Sequence, residues 1–385
     1  MTKSKFGTVF LLWGAGLGAA AQYAKVSIVF DQLPNLYPDA GNALGFAVSL
    51  VGFLGILFGV VAGVLVARIR YRRALLWALW LGAAVSSLQA LVPPFEYFLL
   101  LRCIEGISHL GLVVAAPTLI GQLSAAKDRG FTLTLWGTFF GVAFAVLAWA
   151  GLPLVASFGI SALFAAHAAY MALFALILTF ALNPLDGQTT AAVLSFADVL
   201  RRHLTIYKSA RISAPGLGWL FYTFSFVSLL TVLPPYLPEA SRAFVMGTMP
   251  LASIASSMTL GVFLLRRHSA IWVIMLGFLL SFGCMVWLWI MPGLPLACIL
   301  LACAMGLIQG ASFASVPQLN ETAESQAQAN GALAQMGNLG NTIGTPVIVA
   351  GLAMLGYGAL PLFVGAAFVM GFLVHWALRI ARNAA

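Results

Sequence analysis

Three polar residues sit where a lipid-buried helix is expected. Residues 97–121 read as an apolar span, yet they hold Arg102, Glu105 and His109. The spacing i, i+3, i+7 puts all three side chains on one helix face. A charge near a bilayer centre costs roughly 2.5–3.5 kcal/mol on insertion scales, so it faces a partner or a wet cavity. The chemistry open to such a stripe is ion pairing, capture of a polar or anionic solute, or proton relay.

The elements that must position this stripe follow from composition. Hydrophobic residues make up 62% of the 385 and charged residues 8%, against about 25% charged in a soluble domain. Hydropathy predicts an all-α integral membrane protein with twelve spans. They lie at about 8–32, 43–67, 74–93, 97–121, 131–153, 161–183, 214–235, 244–265, 270–291, 295–318, 331–355 and 360–380. With the N-terminus inside, the cytoplasmic segments hold sixteen of the nineteen lysines and arginines; Lys25 and Arg102 are within spans and Arg242 is outside. That bias predicts cytoplasmic termini. The net charge of +9 is then a topology signal, and no nucleic-acid partner is expected. Cys103, Cys284, Cys298 and Cys303 lie in apolar segments without a CxxC pair, so packing is expected rather than disulfides or zinc. Phe6 to Val29 is too long for the apolar core of a cleavable signal peptide.

The chain repeats itself. Cys103-Ile-Glu-Gly106 through Pro117-Thr-Leu119 aligns with Cys303-Ala-Met-Gly306 through Pro317-Gln-Leu319 at an offset of 200 residues. The same offset relates Gly137 to Gly337 and Ala150-Gly-Leu152 to Ala350-Gly-Leu352. The expected organisation is a six-helix half at 1–184, a cytoplasmic linker at 185–213 and a second six-helix half at 214–385. Duplicated halves of this kind place a substrate site between them in many transporters. Within the linker, Ser195 to Leu204 alternates Phe196, Val199 and Leu200 with Arg201 and Arg202. This is an amphipathic helix for the inner leaflet, or one for regulation or a partner.

Here the chain resembles the major facilitator superfamily over nearly its whole length. The loop after span 2, Gly63-Val-Leu65-Val-Ala67-Arg68-Ile-Arg70-Tyr71-Arg72-Arg73, is similar to the family signature Gly-x-Leu-x-Asp-Arg-x-Gly-Arg-Arg. Ala67 replaces the acid and Arg70 the second glycine. The acid helps latch the cytoplasmic gate in the family, so a standard latch is not implied. Gly63, Arg68 and Arg72 stay as gating candidates beside a purely topogenic role, since arginines suit helix C-termini. Arg102-Cys-Ile-Glu105-Gly106 resembles the family's Arg-x-x-Gln-Gly element with Glu for Gln. Span 5 has Gly137-Thr-Phe-Phe-Gly141 in place of the Gly-Pro signature of drug antiporters, which favours uptake over multidrug export. Glu105 to His109 with Val113 to Ile120 looks most like a small bacterial branch, with CcoA-type copper importers and RfnT-type riboflavin transporters. The resemblance implies a bacterial inner-membrane location.

In that fold, spans 1, 4, 7 and 10 line the central cavity. Span 1 then supplies Gln22, Lys25 and Asp31, and span 4 the Arg102–His109 stripe. At 1.5 Å per residue, Lys25 lies roughly 10 Å deep from the outer side, and Arg102 and Glu105 roughly 8 and 12 Å. Lys25 and Glu105 are therefore expected to meet, with Arg102 beside them. Three roles stay open: a structural ion pair, an anchor for an anionic or strongly polar substrate, and a proton-coupling site of Glu105 with His109. The second half has no charge within its spans. Its candidates are Trp219, Tyr222 and Ser225 on span 7, Gln309 and Ser312 on span 10, and Gln335, Asn338 and Asn341 on span 11. Such amides and hydroxyls bridge membrane helices; aromatics opposite amides also suit a flat heteroaromatic solute.

Copper would need soft ligands on the path. His167 and Met171 have i, i+4 spacing, but span 6 is peripheral in this fold. Met246, Met249 and Met258 do not reproduce the family importers' Met-x-x-x-Met on span 7 and His-x-x-x-Met on span 8. No Gly-x4-Gly-Lys-Ser/Thr loop argues for ATP-driven pumping. The expectation is a monomeric secondary transporter taking up a small organic compound by alternating access, riboflavin-like and with proton symport. No cofactor, metal site or catalytic residue is expected. A copper importer, an organic-anion or drug exporter, a membrane enzyme using Glu105 and His109, and a non-transporting receptor are the alternatives.

Overall fold

The computed structural model describes residues 4–59, 61–125, 127–183 and 196–384, and every regular element among them is a helix. Nine stretches of these residues are long and apolar enough to cross a membrane. The last, Glu324–Asn383, is two helices, Ala323–Leu355 and Ala359–Ala384, parted at Gly356 with φ of +58°, a conformation open to glycine. Adding Phe6–Ser27 and Tyr71–Gln89 accounts for all twelve spans.

Spans 1 to 4 are Phe6–Ser27, Pro38–Phe58 continued by Ala62–Ile69, Tyr71–Gln89 and Phe95–Leu123. Spans 5 to 8 are Arg129–Phe158, Ile160–Ala181, Ala214–Val232 and Glu239–Leu265, and spans 9 and 10 are Ala270–Ile290 and Pro295–Leu319. The paired prolines of the repeat, Pro117 and Pro317, both sit inside helices, in spans 4 and 10. Span 1 stops at Ser27, short of the expected 32, and Asp31 lies in a 3-10 turn, Phe30–Gln32. Span 2 is not one helix: 3-10 turns at Pro38–Ala43 and Leu50–Gly52 interrupt it. Its glycines 41, 45, 52, 55 and 59 explain this, since each weakens a helix by roughly 1 kcal/mol relative to alanine.

By packing, the chain forms two compact units. One holds the residues up to Val29 and those from Val61 to Val193; the other holds Phe30–Val60 and everything from Leu194 onward. In the first unit, Val9, Leu12, Leu75, Leu79, Leu112, Leu119, Met171 and Leu178 join spans 1, 3, 4 and 6 in one buried core. In the second, spans 7 and 11 meet backbone to backbone: a Cβ built on Gly340 would lie 2.4 Å from the Leu220 carbonyl oxygen and 2.7 Å from the Phe224 nitrogen. Small residues allow such contact where lipid offers no hydrophobic drive for association. The upper part of span 2 packs in this unit through the Ile56 carbonyl, which accepts from Gln335 Nε2 at 2.8 Å.

The linker helix is Phe196–Lys208; residues 185–195 of the predicted linker lie outside the described residues. Its Tyr207 hydroxyl donates to Gln335 Oε1 at 2.7 Å, and His203 Nε2 is 3.0 Å from Gln335 Nε2. The helix is thus pinned to span 11 by side chains. Burial pushes the Tyr207 hydroxyl up to about 12.

Candidate functional site

In the first unit, Lys25 meets Glu105 of the span 4 stripe, although the span 1 helix ends at Ser27, two residues beyond Lys25, and not near residue 32 as the depth count assumed. Lys25 Nζ donates to Glu105 Oε1 at 2.6 Å, and Arg102 donates to Glu105 Oε2. All three residues are fully buried. Span 3 adds two neutral partners: Gln89 Nε2 donates to Glu105 Oε2 at 2.9 Å, and Ser86 Oγ lies 2.6 Å from Lys25 Nζ.

Span 6 also reaches this cluster. His167 Nδ1 is 2.7 Å from Ser86 Oγ and 3.2 Å from Lys25 Nζ, while Nε2 is 2.9 Å from the Gly18 carbonyl oxygen. A carbonyl only accepts, so Nε2 carries the hydrogen and Nδ1 is the acceptor of a neutral ring. The expectation that span 6 is peripheral does not describe His167. Span 6 comes close because Gly18 has no side chain; a Cβ there would lie 2.6 Å from Met171 Sδ, and one on Gly82 would meet the Met171 methyl at 2.4 Å. Met171 is fully buried between those glycines, which explains the His167–Met171 spacing by packing. Ser86, Gln89 and His167 were not singled out as site residues from sequence. The signal available in the sequence is the i, i+3 spacing of Ser86 and Gln89 and the i, i+4 spacing of His167 and Met171.

The remaining candidates of this unit lie on the same helices with other partners. His109 donates from Nδ1 to the Ala19 carbonyl at 3.1 Å and meets the Tyr23 ring edge-on, with centroids 5.1 Å apart. Gln22 Nε2 donates to Ser108 Oγ at 2.8 Å, and its Oε1 is buried with no hydrogen-bond partner. Asp31, the third polar candidate of span 1, is exposed and belongs to the second unit.

In the second unit, Trp219 and Tyr222 stack at 4.4 Å and Tyr222 on Phe226 at 5.5 Å, nearly parallel, along one face of span 7. Ser253 Oγ on span 8 donates to Gln309 Oε1 on span 10 at 3.4 Å. Phe226 also lines a small apolar cavity with Leu229, Leu230, Met249, Ala302 and Met305. Asn338 Nδ2 turns back to the Ala334 carbonyl at 2.7 Å, and Asn341 Oδ1 is buried without a hydrogen-bond partner. The aromatic column, Gln309 and the span 11 amides therefore occur within one unit.

At the loop after span 2, Gly63 belongs to the helix Ala62–Ile69, at whose end Arg68 is exposed. Arg72 donates to the Thr179 carbonyl at 2.8 Å and the Leu182 carbonyl at 3.1 Å. It thus caps the C-terminal end of span 6, where a cation is favoured by the helix dipole. Arg70 has φ of +72° and ψ of 129°, a backbone region that favours glycine. It stands where the family signature has its second glycine, and the backbone keeps the glycine shape.

Comparison with known proteins bears on the family and the fold. The profile of the Major Facilitator Superfamily matches residues 15–345. Among solved structures, a bacterial homologue of the human lysosomal transporter Spinster, inward-facing and unoccupied, superposes with a TM-score of 0.72 at 14% identity. The alignment covers 97% of this chain and 93% of that one, a likeness of fold. No curated protein matches the sequence. A profile running from span 1 into span 11, on a chain folded as twelve membrane helices, makes this protein a member of the Major Facilitator Superfamily.

Proposed function

We propose that the protein is a secondary transporter that takes up a small organic solute by alternating access, coupled to protons. The observation that carries this reading is the Lys25–Glu105–Arg102 cluster, fully buried within membrane helices. Three charges kept at such depth are costly, and in membrane proteins they mark solute and ion paths. The Trp219–Tyr222–Phe226 column with its neighbouring amides supports a flat, partly apolar cargo. Riboflavin-like vitamins are the specific candidates, on the resemblance of span 4 to the riboflavin branch. Copper has less support: His167 is engaged in hydrogen bonds and Met171 in packing. The proposed setting is a bacterial inner membrane, with a monomer and both termini cytoplasmic. The test is uptake by purified protein in proteoliposomes across a panel of riboflavin, other vitamins, organic anions and copper. Saturable, protein-dependent flux of an organic solute is expected; flux of copper alone would refute the cargo class, and no flux at all would refute transport.

A further inference from the structure

We infer that this transporter moves one monoanionic organic molecule together with one proton, and that Lys25 is the group that carries the proton. This rests on the transporter reading above and, within its class of small organic solutes, sets an anionic cargo in place of the uncharged riboflavin-like candidates. The charged side chains buried among the described residues are Lys25, Arg102 and Glu105: two cations against one carboxylate, a surplus of one positive charge. Arg102 does not give up its proton, and Glu105 is the counter-ion of both cations. The surplus can be removed in two ways. Lys25 can release a proton, its N–H electron pair staying on Nζ, or a bound monoanion can balance the ammonium.

Two states are therefore neutral inside the membrane: the empty site with Lys25 as an amine, and the loaded site with Lys25 as an ammonium beside one anion. The half-loaded states, anion without proton or proton without anion, each bury an uncompensated charge and are disfavoured when water is excluded. Only the neutral states reorient freely. Anion and proton then cross together without net charge and leave together into water.

The surroundings of Lys25 accept both forms. From span 3 it meets Ser86 and, beyond Glu105, Gln89; from span 4 Arg102 and Glu105, with His109 turned to the Ala19 carbonyl. From span 6 it meets His167 and the Phe164 ring at 5.4 Å, and Tyr23 lies on its own helix. A serine hydroxyl can accept from an ammonium or donate to an amine, so a rotation of one O–H bond exchanges the two patterns. His167 is a positioning residue, its Nδ1 held as an acceptor by the Gly18 carbonyl at its other nitrogen.

The experiment is uptake of radiolabelled aromatic monocarboxylates, each paired with its uncharged amide, and of riboflavin, by proteoliposomes with protein-free vesicles subtracted. For wild type, an acid-outside gradient of about one pH unit is expected to raise accumulation of a carboxylate up to about tenfold, the limit for one proton per anion, with no response to an imposed membrane potential and little uptake of the amide. Lys25→Arg holds the charge permanently: net gradient-driven uptake is lost while anion exchange persists, because only its loaded form is neutral. The double variant Lys25→Gln with Glu105→Gln has the same balance and the same expected exchange-only behaviour, and exchange persisting in either variant reports a folded protein. Gradient-driven uptake surviving in Lys25→Arg, a dependence on membrane potential, or transport of riboflavin and amides in preference to carboxylates would overturn the inference and leave the transporter reading standing. Absence of flux for every compound would overturn both.

Discussion

Replacing Glu105 by glutamine removes the one acid that two buried cations share. Glu105 Oε1 accepts from Lys25 at 2.6 Å, and Oε2 accepts from Arg102 and from Gln89 at 2.9 Å. A glutamine has one acceptor oxygen, and its amide hydrogens would point at donors on the other side. At least one buried cation is left uncompensated, and removing one partner of a buried pair costs about 3–5 kcal/mol. No discount for solvent applies, because all three side chains are fully buried. Arg102→Gln removes an ion pair from the same carboxylate but leaves Lys25 and Glu105 balanced, so its cost should be about 1 kcal/mol or less. The two substitutions are equal if each ion pair counts alike and very unequal if charge balance decides. Thermal and denaturant unfolding in detergent, followed by a thiol-reactive dye on the four free cysteines, measures both. Adding Arg102→Gln to Glu105→Gln should recover part of the loss. Equal damage from the two single variants, or a Glu105→Gln protein as stable as wild type, would refute the charge-balance reasoning.

Arg70→Gly restores the residue type that a φ of +72° favours, and a gain of about 1–2 kcal/mol in unfolding free energy is expected from relieved backbone strain; a loss would show that the side chain compensates. Gly340→Ala places a methyl group 2.4 Å from the Leu220 carbonyl oxygen, so spans 7 and 11 must part at a cost of about 1–3 kcal/mol, read as a lowered melting temperature. Tyr207 titrates in the unfolded chain near 10.0 and in the folded one at about 12. The folded state thus holds its proton longer, and the anchorage of the linker helix should weaken as pH rises from 10 towards 12. Proteolysis of the linker should accelerate over that window in wild type and not in Tyr207→Phe, and identical profiles would show that Tyr207 is not the responsible group.

The ionic cluster was legible mainly because buried charges demand partners and helix periodicity puts Arg102 and Glu105 on one face. Lys25 meets Glu105 although the count that placed it assumed a span 1 running to about residue 32, and the helix ends at Ser27. Ser86, Gln89 and His167 were not legible on the same terms. Serine and glutamine carry no charge that demands a partner, and the face of span 3 that meets span 1 depends on how helices pack. For His167 that packing is set by an absent side chain at Gly18, whose meaning emerges only once Met171 is seen against it. The twelve spans followed from hydropathy, but the breaks in span 2 did not, since a window average hides glycines spread among apolar neighbours. Arg70 was visible as a departure from the family signature. What could not be read was that the backbone there would keep a glycine's shape under an arginine.

The arginine contacts have a consequence for when each charge acts. Arg72 is held by the Thr179 and Leu182 carbonyls, Arg129 by the Gly121 carbonyl and Arg382 by the Ala210 carbonyl. For Arg72, the Thr179 and Leu182 acceptors are synthesised only after the arginine itself. In the proposed orientation, these cations first retain their loops on the cytoplasmic side during insertion. Afterwards, the guanidiniums of Arg72 and Arg129 satisfy carbonyls left over where helices end, and that of Arg382 one in the turn after the linker helix. Orientation is thus chosen early by charges that the finished protein reassigns to mending its own helix ends. A neutral, hydrogen-bonding replacement at Arg72 would separate the two duties in time: biogenesis would feel the missing charge, the mature fold mainly the missing donors.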